Sequence, residues 1–343
     1  MFENNNYCGF FVSIKMKKTT IYLFLLWAPA FLFSQSLKPY KAKALPSASL
    51  AKTDLQRVKL LQDTLKQLSE TLTYDSLLDN RKKACYVFIP KLVAALKFDN
   101  SFYFPFDSLE PITRIYSPDS LFRIFTWQLA LPQGRFRYYG VIQMRSTKTK
   151  LYPLYDLSDT MHYQPQHILN NNNWYGALYY NIIAKQIGKK TVYTLFGFEA
   201  ADVITRRKVI EIMQFDMDGR PKFGAPLFYF KLDEDSTRYK KTDTLNRFFI
   251  EYKYNAPTVM NFDKQMEMIV LDHVAPPNDK AKGATFSYVP DGTYEGFEWK
   301  NDRWNWIEKV FTFSIGESDN PPIPVPLFGE PGKQPQLPRE NPK

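Results

Sequence analysis

The spacing of apolar side chains changes period near residue 100. From Ser47, the residues Leu50, Leu55, Val58, Leu61, Leu65, Leu68 and Leu72 recur mostly three or four positions apart. Lys52, Lys59, Lys66, Asp63 and Glu70 fill the other face, which makes the stripe of an amphipathic helix. A second helix is expected from about Asp75, an N-cap residue, to Lys97. Leu78, Cys85, Phe88, Leu92 and Leu96 line its apolar side, and Pro90 is expected to kink or interrupt it. Cys85 therefore reads as a core thiol.

After Asn100 the period shortens to two and aromatic residues become dense, as in β-strands. Leu121 to Ala130 and Arg135 to Arg145 flank Leu131-Pro132-Gln133-Gly134, a hairpin closed by a type I turn. In its second strand Phe136, Tyr138, Ile142 and Met144 point to a buried face. Arg135, Arg137, Gln143 and Arg145 point to a wet one. Further strands are expected at Tyr175–Gln186, Thr191–Phe198, Pro226–Leu232, Arg247–Tyr254 and Met266–Leu271. Ala201 to Phe215 fits either a short helix or a strand. The fold class that follows is α+β and mainly antiparallel, with a helical pair over 47–98 and a β-rich domain over 99–316. Its sheets would form a sandwich or partly closed barrel.

An internal echo keeps a β-propeller as the alternative. Tyr116-Ser-Pro-Asp-Ser-Leu-Phe-Arg-Ile-Phe-Thr-Trp127 matches Tyr288-Val-Pro-Asp-Gly-Thr-Tyr-Glu-Gly-Phe-Glu-Trp299 at five of twelve positions. Four blades of about 43 residues would span the separation. A common Pro-Asp turn explains the same residues.

The termini carry different signals. Lys15, Lys17 and Lys18 precede the apolar run Ile21 to Phe33, and Ser34, Gln35 and Ser36 follow it. This is the pattern of a secretory signal peptide over residues 1–34, with translation starting at Met16 and cleavage after Ser34. The run is too short for an ordinary spanning helix, so no membrane span is expected after cleavage. Residues 35–46 read as a linker. From Asn320 the chain has eight Pro in 24 residues, and 317–343 reads as a disordered Pro-rich tail.

Composition narrows the function. Loss of the leader, with its three Lys and one Glu, lowers the net charge from +10 to +8. The basic residues are scattered, and Arg81-Lys82-Lys83 and Arg206-Arg207-Lys208 are the densest clusters, so nucleic acid is not an expected partner. Cys85 is the single thiol after the leader, so no intrachain disulfide can form there. No nucleophile elbow, His-Glu-x-x-His, Cys-x-x-Cys, phosphate-binding loop or dinucleotide fingerprint occurs; no catalytic residue, cofactor or metal is assigned.

His162 and His167, with Asp156 and Asp159 nearby, lack the spacing of a one-face metal pair. His273 follows Asp272, but neighbours on a strand point to opposite faces, so a structural pair is expected. Asp216-Met-Asp-Gly219 resembles half a calcium loop, yet Arg220-Pro221 follows, and a hairpin turn accounts for it. The binding candidates are Phe297, Trp299, Trp304 and Trp306. A two-residue turn at Asn301-Asp302 would set Trp299 opposite Trp304 and Phe297 opposite Trp306, with all four rings on one face. Such a plate could stack on a sugar or peptide, or simply cover the core of the sheet.

Several short motifs carry a family resemblance: Phe104-Pro-Phe-Asp-Ser-Leu109, Ser117-Pro-Asp119 through Trp127, and Trp174-Tyr-Gly-Ala-Leu-Tyr179. The others are Phe223-Gly-Ala-Pro-Leu-Phe228, Ile269-Val-Leu-Asp-His273 and Pro290-Asp-Gly-Thr-Tyr294. Across roughly residues 70 to 312 the chain resembles uncharacterised exported proteins of the Bacteroidetes. That pattern has Asp-His-Leu where this chain has Asp272-His273-Val274. The resemblance implies a periplasmic, cell-envelope or secreted location and no known activity. The expectation is a noncatalytic binding or structural protein whose partner is a polysaccharide or an envelope protein. The alternative is a hydrolase acting on an envelope polymer.

Overall fold

The structure is a computed structural model that describes residues 50–146, 149–158, 165–230 and 244–311. The leader, the linker, Asp159, His162 and the Pro-rich tail lie outside the described residues. Helices α1 (Lys52–Tyr74) and α2 (Leu78–Leu96) come first. Then follow β1 (Thr113–Tyr116), β2 (Phe122–Ala130), β3 (Phe136–Met144), β4 (Lys150–Tyr155), β5 (Leu169–Asn170), β6 (Leu178–Ile187), β7 (Lys190–Glu199) and β8 (Thr205–Phe215). The remaining strands are β9 (Pro221–Phe223), β10 (Phe228–Tyr229), β11 (Thr244–Leu245), β12 (Arg247–Lys253), β13 (Met260–Asp263), β14 (Met268–Ala275), β15 (Val289–Lys300) and β16 (Arg303–Ile307). Among the described residues no helix is long and apolar enough to cross a membrane.

Two helices followed by mostly antiparallel sheets make this an α+β fold. The first sheet is the meander β1-β2-β3-β4. The second runs β5-β9-β8-β7-β6, with β12 also paired to β8. The third runs β11-β10-β16-β15-β14-β13, and β10 lies parallel to β16. Pairing between strands so distant in sequence departs from the repeated meander of a propeller.

The layers follow from which face each side chain takes. Val58, Leu65 and Leu72 of α1 and Cys85, Phe88 and Leu92 of α2 pack on Phe125, Trp127, Leu129 and Val141, one face of the first sheet. Phe88 meets Trp127 edge-on at 5.2 Å. Phe122, Ile124, Tyr138 and Ile142, on the opposite face, pack against Tyr179, Tyr193, Leu195, Val209 and Met213 of the second sheet. The far side of that sheet, with Val192, Phe196, Ile210 and Ile212, packs on Phe228, Ile269, Leu271, Phe297 and Trp304 of the third. The result is a stack of helices, sheet, sheet and sheet. Its two inner sheets have central strands covered on both faces.

That stacking corrects several expectations. The face of β3 expected to be wet carries Tyr139, Val141 and Gln143, which lie under the helices, and Gln143 is buried. Pro90 lies on the exposed side of an α2 that continues through it, so it does not interrupt the helix. Asp75 caps through Leu77, whose N–H donates to Asp75 Oδ1 at 2.8 Å, while Leu77 itself is the N-cap residue. The turn before β3 is not type I, because Gln133 and Gly134 both have positive φ, 61° and 69°. Residues 205–215 resolve as β8.

The echo has a local origin. Asp119 Oδ1 accepts the Leu121 N–H at 3.2 Å, and Ser120 between them has φ 56°. Asp291 Oδ1 accepts the Thr293 N–H at 2.9 Å around Gly292 at φ 87°. Both are Asx turns with a left-handed residue inside. The first joins β1 to β2. The second is a bulge in β15, where Asp291–Thr293 face the single residue His273 of β14.

Arg123 ties the layers together without a carboxylate. Its cross-strand neighbour is Gln143, and its Nε donates to Gln143 Oε1 at 2.8 Å. Its terminal nitrogens donate to the carbonyls of Phe104 (2.6 Å) and Ser101 (2.8 Å) and to the Tyr116 hydroxyl (2.7 Å). The guanidinium carbon lies 4.8 to 5.5 Å from the rings of Phe125, Phe106, Phe102 and Tyr116. Burial lowers its pKa to about 10, and it remains charged at neutral pH. Arg123→Lys and Arg123→Met should each lower unfolding free energy by about 3 kcal/mol or more, since neither reaches all four acceptors. Urea unfolding reads this directly, and a loss below about 1 kcal/mol for Arg123→Lys contradicts the clamp.

Candidate functional site

The second sheet carries its charges in register. On β7, β8 and β12, Glu199 lies opposite Arg207, and Arg207 opposite Glu251. Arg207 donates to Glu199 at 3.2 Å and to Glu251 at 2.5 Å. Tyr175 donates its hydroxyl to Glu199 at 2.6 Å. Burial raises the Glu199 pKa, with Arg207 opposing it. Burial also works against the Arg207 charge, but Glu199 leads the interactions that hold its pKa above the ordinary value. A second row pairs Arg247 with Glu211, both fully buried, at 3.2 Å. Tyr179 donates to Glu211, and Trp174 Nε1 donates to Tyr179 at 2.8 Å.

The first row ends at the surface. Thr285 donates to the other oxygen of Glu251, and so anchors the segment 276–288 that joins β14 to β15. Lys253 N–H donates to the Tyr288 carbonyl at 2.9 Å, and Gly283 N–H to the Tyr288 hydroxyl at 3.1 Å. Two depressions are walled by this segment. One, of about 230 Å³, is lined by Ile204, Lys253, Tyr254, Pro277, Phe286 and Ser287. The other, of about 420 Å³, is lined by His273 to Pro276, Lys282, Gly283 and Tyr288. Ile204, Tyr254 and Phe286 remain 48%, 51% and 47% exposed, so this groove presents apolar and ring surface that the core does not use. Arg206 lies 5.9 Å from the Tyr254 ring and helps hold it.

His273 stands at the edge of the larger depression. Its Nδ1 is 2.6 Å from Asp291 Oδ2 and its Nε2 is 3.2 Å from Glu295 Oε1. Asp272 turns away and accepts the Val259 N–H at 2.6 Å, as expected of adjacent residues on a strand. The partners of His273 come instead from the bulged strand beside it, which no local spacing in the sequence marks. Among the described residues no His, Cys, Asp or Glu cluster has metal-holding geometry.

The other sequence candidates have structural surroundings. Asp156 accepts the N–H groups of Tyr138 and Ser158, each at 2.8 Å. The His167 carbonyl accepts from Arg247 at 2.8 Å. Asp216 Oδ1 accepts the N–H groups of Asp218 and Arg220 in the turn joining β8 to β9. Cys85 is buried, and burial raises its pKa.

The four-ring hairpin has the expected register, with Trp299 opposite Trp304 and Phe297 opposite Trp306 around left-handed Asn301 and Asp302. Its ring face turns inward. Phe297 and Trp304 are fully buried, and Trp304 Nε1 donates to Thr194 of β7 at 3.0 Å. Trp299 and Trp306 are half-buried at the margin of the same face. Only these margins face solvent, whereas Tyr254, Phe286 and Lys253 line the smaller depression and Lys282 and Tyr288 the larger, none of them a binding candidate on the sequence alone. The run Pro276-Pro277 followed by Phe286 and Tyr288 was the available signal.

Two measurements check this site. Trp304→Phe should cost about 2 kcal/mol through the lost indole volume and hydrogen bond, and Trp306→Phe less than about 1 kcal/mol. Burial opposes ionisation of Asp291, but Thr293 and His273 outweigh it and lower its pKa. The stability that Asp291 supplies is therefore complete above the ordinary carboxylate pKa of about 4 and disappears as pH falls through the depressed value. With solvent screening, Asp291→Asn should cost at most about 1 kcal/mol near pH 6, and its urea midpoint should converge with wild type in acid. No protein-family model, curated protein or solved structure matches the chain.

Proposed function

We propose that this protein is exported to the cell envelope or secreted and acts there as a noncatalytic binding protein, with the groove walled by residues 276–288 as its contact surface. The observation that carries the reading is the pairing of exposed rings with a fixed frame. Tyr254 and Phe286 are about half exposed, while the Glu199–Arg207–Glu251–Thr285 row anchors the loop that presents them. A rigid apolar and aromatic surface binds with little ordering cost. Lys253 and Lys282 add cationic donors at its margins. Export is supported by the basic, apolar and small-residue order of residues 15–36. The ionisable cluster beside the larger depression places a carboxylate within 3.2 Å of each His273 nitrogen, which favours a structural clamp over a general base. A saccharide polymer of the envelope fits rings flanked by hydrogen-bond donors.

Soluble peptidoglycan fragments serve as the probe. Calorimetry should show saturable binding to the mature protein, weakened at least about tenfold by Phe286→Ala with Tyr254→Ala, the expectation for two stacking anchors. Those exposed substitutions should change stability by about 0.5 kcal/mol or less each. Release of new reducing ends from the fragments overturns the noncatalytic reading, and unchanged affinity in the double variant overturns the groove. N-terminal sequencing of protein recovered outside the cytoplasm should begin at Gln35; an intact leader overturns the cleavage site.

A further inference from the structure

We infer that the groove is also the docking site of a segment of this same chain, Pro321-Pro322-Ile323-Pro324-Val325-Pro326. The course of the last described residues points there. After β16 pairs with β15 from Gly296 to Lys300, Val310 N–H still donates to the Tyr294 carbonyl at 2.9 Å. The Phe311 ring meets Tyr294 edge-on at 5.4 Å. The chain is thus travelling antiparallel along β15 toward its Val289 end, where Tyr288 and the groove begin. Pro321 lies ten residues beyond Phe311, a reach of about 33 Å when extended.

The chemistry of the segment matches the surface. Four Pro in six residues favour a polyproline II helix, which exposes an apolar ridge and gives up little entropy on docking. Aromatic-lined grooves recognise such ridges. Tyr254, Phe286 and Ile204 offer the exposed rings and apolar wall, and Pro277 completes it. Glu317 and Asp319 precede the Pro run, and Lys253 lines the ring-bearing depression to meet them, whereas Lys282 is paired with Asp279 at 2.9 Å beside the other depression. The tail then covers the surface that the proposed external ligand would use, and the two compete. The inference rests on the groove being a binding surface but not on export or on the identity of that ligand.

The test uses the mature full-length chain carrying Val325→Cys with Ser287→Cys, since Cys85 is buried. A short bismaleimide should link this pair within one molecule at least about tenfold faster than Val325→Cys with Glu70→Cys, the tethered segment being concentrated at the groove. Adding Phe286→Ala and Tyr254→Ala should erase the difference. Equal rates for the two pairs overturn the inference, as does linkage only between molecules, which assigns the groove to a second copy. Calorimetry with peptidoglycan fragments on the same variants separates this outcome from the fate of the ligand reading. Fragments that bind while the tail links no faster leave that reading standing and remove this one.

Discussion

Covering a β-sheet on both faces removes water as a partner for every polar group it carries, and that constraint organises this molecule. The second sheet lies between two other sheets, yet it buries Glu199, Glu211 and Arg247 and holds a largely buried Arg207. Isolated charges there would cost several kcal/mol each. Antiparallel register supplies the solution, because residues directly opposite each other have neighbouring Cβ atoms. Glu199 meets Arg207, Arg207 meets Glu251 and Glu211 meets Arg247, each across one rung of the ladder. A one-residue slip would break every pair and turn the apolar faces over. The charges therefore specify register as well as satisfying one another.

Arg123 in the first sheet meets the same constraint differently. It uses an amide, two carbonyls, a phenol and four ring faces in place of an anion. This binds the connection between α2 and β1 to the sheet. The buried row on the second sheet extends the frame outward, since Glu251 accepts from Thr285 and so orders the loop behind the groove. The interior electrostatics and the surface candidate are parts of one arrangement.

How much was legible depended on the range of the determining interaction. The α1 stripe and the 301–302 turn are local, and both helices and the register of the four-ring hairpin follow from spacing alone. The inward orientation of that hairpin does not, because one apolar strand face looks the same whether another sheet covers it or a ligand does. Gln143 shows the converse error: its polar side chain among Arg residues marked a wet face, but Arg123, Ser101 and the Leu96 carbonyl supply partners beneath the helices. The echo between Tyr116 and Tyr288 was also real, though what it encodes is an Asx turn and not a structural unit. His273 was readable as a strand-end histidine; its clamp by Asp291 and Glu295 required the β15 bulge.

Sequence alone thus determined the helical pair, the strand-rich remainder and the turns at 216–219 and 301–302, since propensity and periodicity act over a few residues. The tertiary structure decided which faces are buried twice, which charges meet, and which rings are left at the surface, because each depends on elements far apart in the chain packing against one another.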